Sequence, residues 1–283
     1  MATFLSTRYT RGFSLLNPLG LARNLWHSRD LIGQFTSREI EGRYRGSFLG
    51  LFWTLINPLA LLGVYTFIFG VVFKSRWPQA RTDSLADFAL ILFCGMATFT
   101  VFSECVSRAP VLIVNNPNYV KKVVFPLEIL PISVLGAALF HGAISLSIVI
   151  VANLLLHGSL PWTVVLVPIV ALPLVLLTLG VSWLLASLGV FIRDMSYVIT
   201  LLVQILFFIT PIFFAVDVLP KDFQPVLRMN PFTDIVDNMR RVVLWGQLPD
   251  WQGLAVVTAA GALVTLLGYA WFMRTKRAFA DVL

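Results

Sequence analysis

Three arginines stand in the last turns before a long apolar run: Arg38, Arg43 and Arg45, followed from Leu49 to Phe73 by 25 positions without a charge. Long cationic side chains at the edge of hydrocarbon reach phosphate groups, whether of ordinary lipids or of a lipid-linked anionic substrate. The same placement also orients a span, because Lys and Arg are retained on the cytoplasmic side. Both readings stay open on these residues alone. The first makes Arg38, Arg43 and Arg45 a candidate substrate entrance.

A second cationic group has a different context. Residues 109–128, APVLIVNNPNYVKKVVFPLE, are too polar to span and too apolar for a free linker. Asn-Asn-Pro-Asn, ending at Asn118, forces a turn; Tyr119, Lys121 and Lys122 follow among valines, and Pro126 ends the piece. This reads as a compact docking element, with Tyr119 entering a cleft on a partner and the two lysines meeting acidic residues there. The alternative is an interfacial connector whose lysines rest on lipid phosphates. Arg193-Asp194 forms a second, very short turn expected on the same side of the membrane.

The third group lies in the 34 residues from Asp217 to Asp250. Asn230 is an N-cap candidate with Pro231 at the first helical position, and Phe232, Ile235, Val236, Met239 and Val243 recur at helical spacing. Asp234 and Asp237 stand near the start and Arg240 and Arg241 near the end, as the helix dipole prefers, and Gly246 stops the element. Phe223, Val226 and Leu227 form a shorter apolar group before it. Two half-helices dipping into the outer leaflet fit this pattern, and so does a plain amphipathic surface helix.

Other chemistries find no residues. There is no G-x-x-x-x-G-K-[ST] loop, no Ser/His/Asp or Cys/His set at matching depth, and His27, His141 and His157 are scattered. Cys94 and Cys105 share one apolar run without metal spacing and read as small buried residues. The chain is therefore expected to be no enzyme, to hold no metal or cofactor, and to carry no energy source of its own. A pore or a permease for a separate motor is left, with a membrane-embedded enzyme as the competitor.

The elements that must position these groups are membrane helices. Residues are 58% hydrophobic and 12% charged, the mean hydropathy is +0.85, and soluble chains carry about 25% charge. The net charge of +7 punctuates apolar segments, so it speaks for membrane orientation and not for nucleic acid. The predicted fold is an all-α integral membrane protein. A cytoplasmic segment, 1–48, contains an amphipathic interface helix capped by Ser28; six transmembrane helices occupy about 49–73, 87–106, 129–156, 162–192, 195–216 and 251–273; and a tail covers 274–283. Glu104 and Arg108, spaced i, i+4, are expected to pair, and Pro168 and Pro173 to bend the fourth span. No removable leader is read, so the first span is expected to act as the targeting signal. With six spans, 14 Lys and Arg fall on the side of the termini and 7 on the other, which places both termini in the cytoplasm.

Three stretches in this order, RYRGSFLGLFWTLINPL from Arg43, NNPNYVKKVVFPLEILP from Asn115 and MNPFTDIVDNMRRVVLWG from Met229, resemble the membrane subunit of ABC-2-type polysaccharide exporters of the capsule, O-antigen and teichoic acid branch. The resemblance covers nearly the whole chain. It implies a homodimer in the bacterial inner membrane, with two copies of a cytoplasmic ABC ATPase that uses ATP and Mg. The cargo it implies is a lipid-linked polysaccharide, with a capsular one favoured for the arginine-rich entrance; periplasmic and outer-membrane export proteins are candidate further partners. It also implies that Asn118, Tyr119, Lys121, Lys122, Arg193 and Asp194 couple to the ATPase. Phe223, Asn230, Pro231, Phe232, Asp237, Arg240 and Arg241 would lie in paired re-entrant helices that gate the periplasmic exit.

Overall fold

The computed structural model describes residues 18–46, 48–75, 77–78, 84–121 and 125–283, and among them every regular element is helical. Two helices open the described chain, α1 (Pro18–His27) and α2 (Arg29–Tyr44). Asp30 occupies the first turn of α2, although the Ser28 side chain makes no capping bond. After Gly46, at φ +85°, a short 3-10 turn (Gly50–Phe52) leads into α3 (Trp53–Tyr65), which continues as a π-helix, Thr66–Val72. The predicted first span is thus present but has two changes of helical pitch.

Next come α4 (Leu85–Leu112), the five-residue α5 (Pro117–Lys121), α6 (Ile129–His157), α7 (Val167–Phe191) and α8 (Met195–Ile209). The last four are α9 (Gln224–Arg228), α10 (Pro231–Arg240), α11 (Trp251–Thr275) and α12 (Phe279–Val282). Local sequence explains several ends. Ser84 Oγ accepts from Asp87 N at 3.1 Å to start α4, Asn230 Oδ1 accepts from Phe232 N at 3.0 Å to start α10, and Asp250 does the same for α11. Gly158 and Gly246, at φ +68° and +66°, close α6 and the π-turn Arg241–Trp245 that extends α10.

Among the described residues, five helical segments are long and apolar enough to cross a membrane: Trp53–Val72, Leu85–Leu112, Ile129–His157, Trp162–Phe191 and Trp251–Val282. The expected fifth span, 195–216, is not one helix. α8 has 15 residues and stops at Ile209, where Thr210, standing before Pro211, is extended; the Pro211 and Ile212 carbonyls beyond it bind a buried arginine at the end of α10. The second span exceeds its expected length, running to Leu112 through Pro110. Pro168 sits at the start of α7, where its missing N–H leaves no bond unmade, and Pro173 alone lies inside.

α4 is the centre of the molecule. It packs against α6, α7, α8 and α10, and its most apolar stretch is 78% buried, whereas that of the first span is half-buried to exposed throughout. The closest helix pair is α7 with α11, where a side chain at Gly268 would run into the backbone of Gly180 and Thr265 Oγ1 donates to Leu176 O at 2.6 Å. Small residues let two backbones touch, which substitutes in lipid for the hydrophobic drive that water would supply.

Candidate functional site

The three entrance arginines converge on one groove. Arg38, Arg43 and Arg45 line a cavity of about 1500 Å³ together with Glu39, Glu41 and a face of α4. That face carries Thr100, Ser103, Glu104, Ser107 and Arg108, spaced at helical intervals in an otherwise apolar helix. Four guanidinium groups and three hydroxyls therefore look into one polar cleft, and the donors outnumber the carboxylates. Such a lining suits a phosphate or another multivalent anion, which guanidinium binds in bidentate fashion.

The shortest ion pairs in the groove join residues far apart in the chain. Arg43 Nη1 binds Glu104 and approaches His141 Nδ1 at 3.0 Å, and Arg108 binds Glu39. The expected i, i+4 pair is a lesser contact: Arg108 reaches Glu104 at 4.0 Å, because α2 lies across α4 and α6 and offers both charges a closer partner. Glu104 and His141 side chains are 8% and 11% exposed, Arg43 and Arg108 45% and 41%. The carboxylate is thus inside and the guanidinium groups face the cleft. His141 Nδ1 also lies 3.3 Å from Glu104. One ring nitrogen serves only one of these neighbours: without a hydrogen Nδ1 accepts from Arg43, and with one it donates to Glu104.

The groove is tied to the docking segment. Arg38 Nη1 donates to Tyr119 Oη at 2.8 Å, and the Tyr119 ring stacks on Phe125 at 4.7 Å and meets Phe35 of α2 edge-on at 5.6 Å. Tyr119, expected to enter a partner's cleft, is here folded against its own interface helix, which leaves Asn118 exposed at the tip of α5. Lys121 Nζ binds the Leu283 carbonyl, so the chain's last residue braces α5 from the other side. Lys122 lies outside the described residues. Arg193 and Asp194 are exposed in the turn between α7 and α8.

At the opposite end of α4 the third group is assembled around Arg240. Expected as a dipole-matched charge near the end of a half-helix dipping into the outer leaflet, this residue is completely buried. Its Nε donates to Ile91 O at 3.2 Å, its Nη1 to Pro211 O at 2.8 Å and to Asp237 at 3.2 Å, and its Nη2 to Ile212 O at 3.0 Å. Its guanidinium carbon stands 4.2 Å from the Trp77 ring centre, an added cation–π contact. Gly95 makes the room, since a Cβ there would strike Nη2 at 2.7 Å. Phe232 packs between Phe99 and Phe102 with centroids at 5.3 and 4.4 Å. The Asn230 side-chain amide donates to Thr210 Oγ1 at 3.1 Å, whereas Phe223 is 60% exposed. Arg241, unlike its neighbour, holds the loop after it through Leu248 O at 2.9 Å. His157 Nε2 meets Asp87 at 2.9 Å.

This end contains a second cavity of about 570 Å³, between α10, its π-turn and the start of α11. Asp234 lines it, and burial, followed by the nearby charges of Asp237 and Asp250, raises its carboxyl above the ordinary aspartate range. Sequence reasoning missed both this cavity and the α4 wall of the groove. The polar stripe from Thr100 to Arg108 was the available signal for the wall.

A profile of the family described as ABC-2 type transporter matches residues 30–244. The O-antigen export system permease protein RfbA of Klebsiella pneumoniae is 28% identical, the match covering 94% of this chain and 99% of that protein. Its Myxococcus xanthus namesake is 29% identical over 92% and 98%. The polysialic acid transport protein KpsM of Escherichia coli is 23% identical over 85% and 92%.

Proposed function

Since the chain belongs to the ABC-2 type transporter family, we propose that it is the permease half of an ATP-driven exporter moving a lipid-linked polysaccharide across the bacterial inner membrane. The observation that carries this reading is the groove: Arg38, Arg43, Arg45 and Arg108 face one cleft beside the hydroxyls of Thr100, Ser103 and Ser107, where the anionic head of a lipid carrier is held while its glycan is threaded. The relatives are named for O-antigen and for polysialic acid. Both are glycans, and the capsular and O-antigen alternatives remain equally compatible with a groove that reads the head group.

In this proposal two copies of the chain pair with two copies of a cytoplasmic ATPase, which binds ATP and Mg; the permease itself hydrolyses nothing. α8, about 22 Å long at helical rise, supplies the sixth crossing with residues 210–216, and both termini are cytoplasmic. Residues 1–48, 49–273 and 274–283 keep their roles as interface segment, membrane domain and tail. Asn118, Tyr119, Lys121 and Lys122, with Arg193 and Asp194, form the side that meets the motor. α9 and α10, with Phe223, Asn230, Pro231, Phe232, Asp237, Arg240 and Arg241, are the re-entrant pair at the periplasmic exit.

The test is surface display of the glycan in cells carrying the chain with and without its ATPase, beside a variant with Arg38, Arg43 and Arg45 all changed to Gln. Export should vanish without the ATPase and fall several-fold in the triple variant, with insertion intact. Normal display without the ATPase overturns the proposal, and mixed topology of the triple variant would make the arginines orientation signals only.

A further inference from the structure

The second cavity has a chemistry distinct from that of the groove. We propose that it is a saccharide subsite, selective for a neutral, hydroxyl-rich glycan over an acidic one. The inference rests on the export reading above.

Its walls combine what sugars need. Trp77 and Trp245 line it; the Trp77 ring is covered by Arg240, so Trp245 supplies the flat aromatic surface that takes the C–H face of a pyranose ring at small conformational cost. The acceptors Asp234 and Asp250 and the amide of Gln252 stand beside them, matching hydroxyl donors and acceptors at the edge of the ring. A volume of about 570 Å³ falls within the usual range for small-ligand sites, about 300–1000 Å³.

The local backbone is shaped to keep the space open. A π-turn, Arg241–Trp245, swings Trp245 to the cavity side before Gly246 reverses the chain, and such turns concentrate at functional sites. Gly253 opens the floor, because a Cβ there would crowd Asp250 at 3.0 Å and Asp234 at 3.5 Å. Asn238 locks the rim by accepting from Asp250 N at 2.6 Å and donating to Asp234 O at 2.9 Å. Arg240 anchors the whole wall from behind.

Charge sets the selectivity. Four aspartates, 217, 234, 237 and 250, line the cavity against two arginines, 228 and 241, and Arg240 pairs with Asp237 behind the wall, so the site as described is one charge negative. A carboxylated or phosphorylated sugar meets repulsion and a neutral one does not. A bare cation would want these carboxylates to converge, and among the described residues no cluster is arranged to hold a metal. Anion recognition and glycan recognition are thus separated to opposite ends of α4, the head group at one and the polymer at the other.

The test uses the full chain with its ATPase in lipid discs, free of maltoside detergent. Saturation-transfer NMR is recorded with a panel of neutral hexasaccharides of glucose and mannose and with an oligosaccharide of polysialic acid. At least one neutral probe should receive saturation, the acidic one at least tenfold less. Trp245→Ala should abolish the signal and Trp245→Phe retain most of it, both with unchanged thermal midpoints. No transfer to any neutral probe, preference for the acidic one, or an unaltered signal in Trp245→Ala overturns the subsite. ATPase-dependent glycan display by the wild type, measured in parallel, keeps the export reading standing if the subsite fails. Loss of that dependence sinks the export reading by itself.

Discussion

Arginine does opposite work at the two ends of α4. In the groove, Arg43 and Arg108 are nearly half exposed and held by side-chain carboxylates, partners that swing away when a stronger anion arrives. At the other end Arg240 is sealed from solvent and held chiefly by backbone carbonyls of Ile91, Pro211 and Ile212, partners fixed to the chain. The residue type is the same, and burial and the mobility of the acceptors decide the role. An exposed guanidinium with exchangeable partners is a binding group; an enclosed one bonded to carbonyls is a staple between helices.

The largest expected effect tests the staple. Arg240→Met keeps the bulk and leaves three carbonyls and Asp237 without their donor, which should cost about 3–5 kcal/mol, read as a lowered thermal midpoint and a loss of folded yield in lipid discs. A variant as stable as the parent would end the distinction. Glu104→Gln is the matching change in the groove. There the guanidinium of Arg43 can turn to water, so the loss should stay near 1–3 kcal/mol, and anion binding should rise because a competing carboxylate is gone. Equal losses at Glu104 and Arg240 would mean that both are structural.

The smallest effect sharpens the contrast within the second cavity. Asp234 carries a carboxyl raised above its ordinary value, first by desolvation and then by Asp237 and Asp250. A raised acid binds its proton more tightly folded than unfolded, so it favours folding below the unfolded value of about 3.9 and loses that advantage as pH rises through the folded value. Asp234→Asn should therefore stabilise at pH 7 by less than about 1 kcal/mol after solvent screening, with the gain fading near pH 4. A gain that persists there would trace to packing and not to charge.

How far the sequence carried depends on the range of the interaction. The start of α10 was legible, because an Asn-Pro start and an apolar stripe are local signals; the last apolar position, Val243, falls in the π-turn Arg241–Trp245 before the glycine stop, a change of pitch that no local rule announced. The end of α8 was signalled by Pro211 alone, which sets Thr210 extended; what holds the chain beyond it, Arg240, lies 28 residues after Ile212 and left no local sign. The groove shows the same limit. Three arginines were found from their position before an apolar run, yet Glu104 lies 61 residues from Arg43 and Glu39 69 from Arg108, and spacing rules favoured the neighbour four positions away. Tyr119 was read as a docking residue from its own segment, and of the rings that pack on it Phe125 belongs to that segment whereas Phe35 comes from α2, 84 residues earlier.

That ring cluster has a consequence for timing. A 2.8 Å hydrogen bond from Arg38 to Tyr119 tolerates only a few tenths of an ångström of slip before it fails, and three packed rings resist sliding in the same direction. α2 and α5 therefore travel as one body: whatever displaces α5 displaces the arginine-bearing wall of the groove in the same instant, without passing through any membrane-spanning helix. In the proposed exporter, a cargo held in the groove and a motor seated on α5 would therefore act on the same part of the chain.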